Sequence, residues 1–208
     1  MKGKIMTLQN GLVHGDKAYL WTDSGWFDPA TGDMKIEQAK HFLGLSFPFA
    51  GCFSSSGGNP YAMVDHINHL FPICTAALVE AASSALRAYA ATGHAGSLLI
   101  AAWDGEPRLF LIRSFDGLPG SDEPAFEPIE VLHHLCVGAG TPEIEALRSE
   151  GLTRRRMHKV INAQIRIPFS YHETFGPIAA TPGIGGSITE IVVSRRGVDT
   201  STLRAGIA

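Results

Sequence analysis

Ile5-Met6-Thr7-Leu8-Gln9 and Lys17-Ala18-Tyr19-Leu20-Trp21-Thr22-Asp23-Ser24 are the stretches whose reading decides the fold. They read as two short strands around a Gly- and Asp-rich turn, with Asn10-Gly11 and then Gly15-Asp16 as the turn signals. Asp23 closes the second strand sixteen positions after Thr7. A carboxylate at the end of an apolar strand is costly unless paired, so Asp23 is expected to meet a cation or several amide donors. Lys40-His41, at the start of another apolar run, offers that cation, and Phe47-Pro48-Phe49-Ala50-Gly51-Cys52 follows.

Working outward, the pattern turns helical after the turn cluster Ser54-Ser55-Ser56-Gly57-Gly58-Asn59-Pro60. One short helix is expected over Tyr61 to Phe71 and a longer, Ala-rich one over Ile73 to Ala91. Ser97 to Trp103 and Pro107 to Arg113, joined by Asp104-Gly105-Glu106, form a hairpin with an Asp-Gly turn. A strand over Val131 to Val137, helices over roughly 142 to 150 and 153 to 166, and a last strand over Ser187 to Ser194 complete the pass. Arg195-Arg196-Gly197-Val198 reads as a turn into a ragged tail over 199 to 208. Strands, two helices, strands, two helices and a strand predict an α+β layered fold in one domain over 1 to 208.

Composition narrows the function classes. The 208 residues are 45% apolar and 18% charged with a net charge of -3, which fits one globular core and gives no reason to expect nucleic acid. Three cysteines without C-x-x-C spacing argue against a disulfide framework and a zinc site, and so for a reducing, cytoplasmic location. No signal peptide or membrane span is expected, and no cofactor. His66 and His69 share one helix face beside Asp65, but no fourth metal ligand accompanies them.

Taken in order, Thr7, Asp23-Ser24, Ala39-Lys40-His41-Phe42 and Ala50-Gly51-Cys52 resemble the N-terminal nucleophile (Ntn) hydrolases of the proteasome beta-subunit and HslV type. The resemblance implies a four-layer αββα sandwich, in which two stacked antiparallel sheets are flanked by helix pairs. It implies Thr7 as nucleophile, Asp23 as the partner of a catalytic lysine, and Gly51 as an oxyanion-binding amide. Gly138-Ala139-Gly140-Thr141 resembles the family's Gly-Ser-Gly-Ser, with Thr141 in the place of the last serine. Alignment on the family's Val-Lys-Lys-Val puts His41 in the lysine's place, whereas counting from Asp23 favours Lys40. Adjacent strand residues point to opposite faces, so only one of the two can enter the site.

The chain departs from the family pattern at three points. Met6 stands where self-processing members carry glycine, and Thr181 and Ile184 stand where the closing Asp-x-x-Ser-Gly-Gly motif has its aspartate and serine. The expected activity is amide or peptide hydrolysis by Thr7 after removal of residues 1 to 6, because a free amine can accept the hydroxyl proton and an amide nitrogen cannot. The alternative is an uncut, catalytically silent relative that serves as an assembly or binding subunit. A peptide or small amide substrate and homo-oligomeric assembly are implied by the resemblance alone.

Overall fold

The computed structural model describes residues 7–27, 33–55, 57–115, 124–136, 141–169, 181–182 and 184–207. The chain opens with β1 (Gln9–His14), β2 (Lys17–Asp23), β3 (Gly25–Phe27), β4 (Met34–Glu37), β5 (His41–Leu43) and β6 (Phe49–Ser55). Two helices follow, α1 (Tyr61–His69) and α2 (Thr75–Ala90), then β7 (Gly96–Trp103), β8 (Pro107–Arg113), β9 (Ile129–Glu130) and β10 (His133–His134). Next come α3 (Pro142–Ser149) and α4 (Arg154–Ile165), β11 (Pro168–Phe169), β12 (Thr181–Pro182), β13 (Gly186–Ser194) and β14 (Gly197–Ile207).

These strands form four antiparallel sheets among the described residues. One five-stranded sheet runs β10-β1-β2-β13-β14, another runs β5-β6-β7-β8-β9, and β3-β4 and β11-β12 are two-stranded ribbons. The expected four-layer αββα sandwich of two sheets is therefore corrected to a β-rich α+β fold, with four sheets and four helices among the described residues. Strand signals in sequence come from alternating burial, and β4 is exposed at every residue, so its pairing with β3 leaves no such trace. The ragged tail is corrected too. Residues from Gly197 fold back on β13 as an eleven-residue strand rich in Thr and Ser, residues that suit an exposed pleated edge.

The turn at Asn10-Gly11 is a third correction. Both residues lie inside β1, opposite Trp21 and Leu20, and the reversal is made by Gly15-Asp16 alone. Asn10 is tolerated there because its side chain is fully paired, giving a hydrogen bond to Gln164 Oε1 at 2.6 Å and accepting one from Gln164 Nε2 at 3.2 Å. At Gly11 an added Cβ would lie 2.7 Å from the Leu109 side chain, so close packing of the facing sheet accounts for the glycine. The expected strand over Val131 to Val137 is reduced to the two-residue β10, with β9 lying just before that range, and Val137 lies outside the described residues.

Four apolar clusters form among the described residues, and three of them pack the two large sheets against each other and against the helices. Leu20, Ile191 and Val193 of the first large sheet meet Cys52, Leu99 and Leu109 of the second. On the other face of the second sheet, Leu78, Ala82, Ala85 and Leu86 of α2 pack with Phe53, Leu98 and Ile100, and the small alanines let the helix approach closely. Met157 and Ile161 of α4 pack on Leu8, Leu12, Trp21 and Ile188 of the first sheet. Thr153 caps α4, its hydroxyl accepting a hydrogen bond from Arg156 N at 3.2 Å. No helix of the described residues is long and apolar enough to cross a membrane.

Candidate functional site

Thr7 lies just before β1, Asp23 ends β2, and Lys40 immediately precedes β5. The first two are thus brought together by a hairpin within one sheet, and the third arrives from the edge strand of the other. Lys40 Nζ lies 3.2 Å from Thr7 Oγ1 and 3.2 Å from each carboxylate oxygen of Asp23. All three residues are removed from solvent, with exposures of 6% for Thr7, 1% for Asp23 and 2% for Lys40. An ion pair so placed has little water to weaken it, and its hydrogen bond to a hydroxyl is correspondingly strong.

Asp23 also receives two amide donors, Leu8 N at 2.9 Å and Gly185 N at 3.3 Å. Burial nevertheless dominates its electrostatics and holds the carboxyl above its ordinary range, with Lys40 and the two amides only partly offsetting it. Burial likewise holds the Lys40 ammonium below the ordinary lysine range, against the pull of Asp23. The indole of Trp26 covers the ammonium, its ring centre 5.4 Å from Nζ. A lysine ammonium held below its ordinary range beside a buried hydroxyl is placed to hydrogen-bond a reacting oxygen.

Of the two neighbouring basic residues, Lys40 enters this group. His41 points to the opposite side of its strand, pairs across to Cys52, and is held below the ordinary histidine range by burial. Gly51 sits in the middle of β6 between Phe42 and Ile100. Ladder bonds from Gly44 N to Phe49 O and from Phe53 N to Lys40 O bracket the Phe42 and Gly51 pair in the same register, so the Gly51 N–H belongs to the ladder and not to an open cleft. The register thus gives no support to an oxyanion role for the Gly51 N–H. Thr141 precedes α3, and its hydroxyl is buried without a hydrogen-bond partner among the described residues. Gly138 to Gly140 and Met6 lie outside the described residues, as does the side chain of Thr181. Ile184 is fully packed in the apolar cluster with Met157 and Ile188.

Several neighbours carried no sequence signal strong enough to single them out. Gln9, two residues after Thr7 and therefore on the same strand face, gives hydrogen bonds to Cys52 O at 3.0 Å and Ser97 O at 3.3 Å and accepts one from Ser97 Oγ at 2.8 Å. Cys136 turns its thiol inward although the residue as a whole is exposed: Sγ accepts from Gln9 N at 2.9 Å and donates to Thr7 O at 2.8 Å. Trp26 could have been suspected only from its position three residues after Asp23.

Elsewhere, His66 Nε2 pairs with Ser84 Oγ of α2 at 3.2 Å. Among the described residues no group of three His, Cys, Asp or Glu side chains is placed to hold a metal ion. An open cavity of about 440 Å³ is lined by Leu12, Leu132, His133, Glu145 and Arg148, on the outer side of β1, and includes none of Thr7, Asp23 and Lys40.

No family model matches the chain, and no curated protein does. Among solved structures the fold is similar to that of an Anbu (Gly-1) mutant from Hyphomicrobium sp. strain MC1, with a TM-score of 0.65 over 96% of this chain and 88% of that one. The two sequences are 14% identical, so the likeness is one of fold. Anbu is proteasome-like but distinct, and the assignment of this chain to the Ntn hydrolases of the proteasome beta-subunit and HslV type is corrected accordingly.

Proposed function

We propose that the chain hydrolyses amide or peptide bonds, with the Thr7 hydroxyl as nucleophile once residues 1 to 6 have been removed. The observation that carries this reading is the 3.2 Å contact of Thr7 Oγ1 with a buried, ion-paired Lys40. The free α-amine released by the cut takes the hydroxyl proton, and the Lys40 ammonium stabilises the oxygen as it attacks the substrate carbonyl carbon. Collapse of the tetrahedral adduct expels the amine, which takes up that proton and leaves an ester on Thr7. Water then attacks the ester, with its proton passing through the same α-amine back to Oγ1, and the acid is released. Asp23 keeps Lys40 in place throughout.

Thr7→Ala is the test. Intact mass should show wild-type chains beginning at Thr7 and variant chains retaining residues 1 to 6, and hydrolysis of fluorogenic peptide amides should vanish in the variant. Equal turnover by the two proteins would overturn the reading.

A second reading has its own support. Ile184 places an apolar side chain one residue before the Gly185 amide that binds Asp23, so no hydroxyl is supplied there to support an amine at Thr7. This favours a chain that remains uncut and acts as a binding or assembly subunit. Homo-oligomeric assembly is supported by the exposed Leu45, Phe71 and Ile73, drawn towards one another by a hydrogen bond from Ser46 Oγ to Pro72 O. Sedimentation velocity tests it, and a monomer at micromolar concentration would exclude it.

A further inference from the structure

We propose that Cys136 is a positioning residue for Thr7, its thiol holding one end of the Thr7–Leu8 peptide plane while Asp23 holds the other. The inference rests on the reading of Thr7 as nucleophile. β10 pairs with β1 through His134 opposite Gly11 and His133 opposite Leu12. Continuing that register puts Cys136 opposite Gln9, where two more main-chain bonds would be expected. In their place the thiol accepts from Gln9 N and donates to Thr7 O, while Cys136 N reaches the Asn10 side-chain oxygen at 3.4 Å.

The consequence lies in which groups are held. Thr7 O and Leu8 N are the two ends of a single planar peptide unit. Cys136 binds the oxygen at 2.8 Å from the β10 side, and Asp23 Oδ1 binds the N–H at 2.9 Å from the β2 side. With the plane pinned at both ends, the Thr7 Cα is fixed against the sheet, and Oγ1 is left to find Lys40 by rotation about a single side-chain bond. Removal of residues 1 to 6 would strip Thr7 of its tether on the amine side, so the pinned peptide plane would then carry more of the nucleophile's positioning. Burial pushes the thiol up to about 12, so it remains a neutral donor at physiological pH.

Cys136→Ala removes the donor, and Cys136→Ser replaces it with a hydroxyl able to give and accept the same two bonds. Each protein is followed by three measurements: the rate of cutting before Thr7 by intact mass, the rate of covalent labelling of Thr7 by a β-lactone, and the NMR titration of the Lys40 side chain. The alanine variant is expected to cut and label about tenfold or more slowly, as misplacement of a reacting group demands, and to shift the Lys40 titration as Thr7 Oγ1 moves away. The serine variant is expected to stay near wild type in all three. A Lys40 titration in Cys136→Ala that overlays wild type, or a serine variant as impaired as the alanine one, would overturn the proposal. Wild-type protein that is neither cut nor labelled would defeat the hydrolase reading instead, and the Lys40 titration would still decide the role of Cys136. Should the alanine variant not fold, Cys136→Val, which also lacks the donor, carries the same comparison.

Discussion

Two buried carboxylates lie on neighbouring strands of the same sheet, and their surroundings push their pKa values in opposite directions. Asp23 ends β2 opposite Ile188 of β13, and Glu190, two residues along β13, sits opposite Trp21. Each meets a cation. Glu190 is also fully buried, but its partners reach water: the Arg154 side chain, 2.6 Å away, is 52% exposed and that of His158, at 3.0 Å, is 39% exposed. Trp21 Nε1 adds a hydrogen bond at 2.9 Å. Burial pushes Glu190 upward, yet the hydrogen bonds of Arg154, His158 and Trp21 outweigh it and hold the carboxyl below its ordinary range. Asp23 has as its cation Lys40, which is itself desolvated, and burial wins. A cation that keeps its own hydration can steady a buried carboxylate, whereas one that has lost it is left chemically poised.

The comparison can be broken most decisively at the cations. Lys40→Met should reduce amide hydrolysis by about a hundredfold or more, because it removes the charge that stabilises the attacking Thr7 oxygen, while Arg154→Met should leave turnover per folded molecule unchanged. Steady-state assays on fluorogenic peptide amides measure both, and equal losses would show that the two pairs are equivalent. Glu190→Gln sharpens the structural side. It leaves Arg154 and His158 solvated but without their anion and weakens the tie between α4 and β13, for a loss of about 1 kcal/mol in urea unfolding with no change in the Lys40 titration.

The smallest effect is the pH dependence of stability, in which the two carboxylates carry opposite signs. Glu190 is depressed in the folded protein, so its contribution is present above the unfolded glutamate pKa and is lost as the pH falls through the lower folded value. Asp23 is raised, so the folded state binds the extra proton, and stability declines as the pH rises from the unfolded aspartate pKa through the folded one. Urea midpoints between pH 3 and 7 should therefore lose part of their acid-side fall in Glu190→Gln. In Asp23→Asn they should lose the decline with rising pH. Identical profiles for the two variants would mean that their surroundings do not differ as described.

Much of the fold was legible where burial alternates or helices are capped. The 97 to 113 hairpin around its Asp-Gly turn and the helix beginning at Pro142 are found as read. Asn10-Gly11 was not legible. Its turn composition is overridden by a partner in α4, Gln164, and by side chains of the opposite sheet, neither of which local sequence specifies. At the site, the order of Thr7, Asp23 and Lys40 could be read, but the choice between Lys40 and His41 could not, because one residue of register changes which face a side chain takes.

By itself the sequence determined local matters: which segments alternate, where helices start, and that a carboxylate at position 23 must be met by donors. Tertiary structure decided which donors those are, placed Trp26 over the ammonium, and brought Cys136, two residues beyond β10, onto the backbone of Thr7. The division has one physical cause. Periodicity and capping act between residues a few positions apart, whereas Thr7, Lys40, Cys136 and Gly185 are joined by packing of separate strands, whose register no local pattern records.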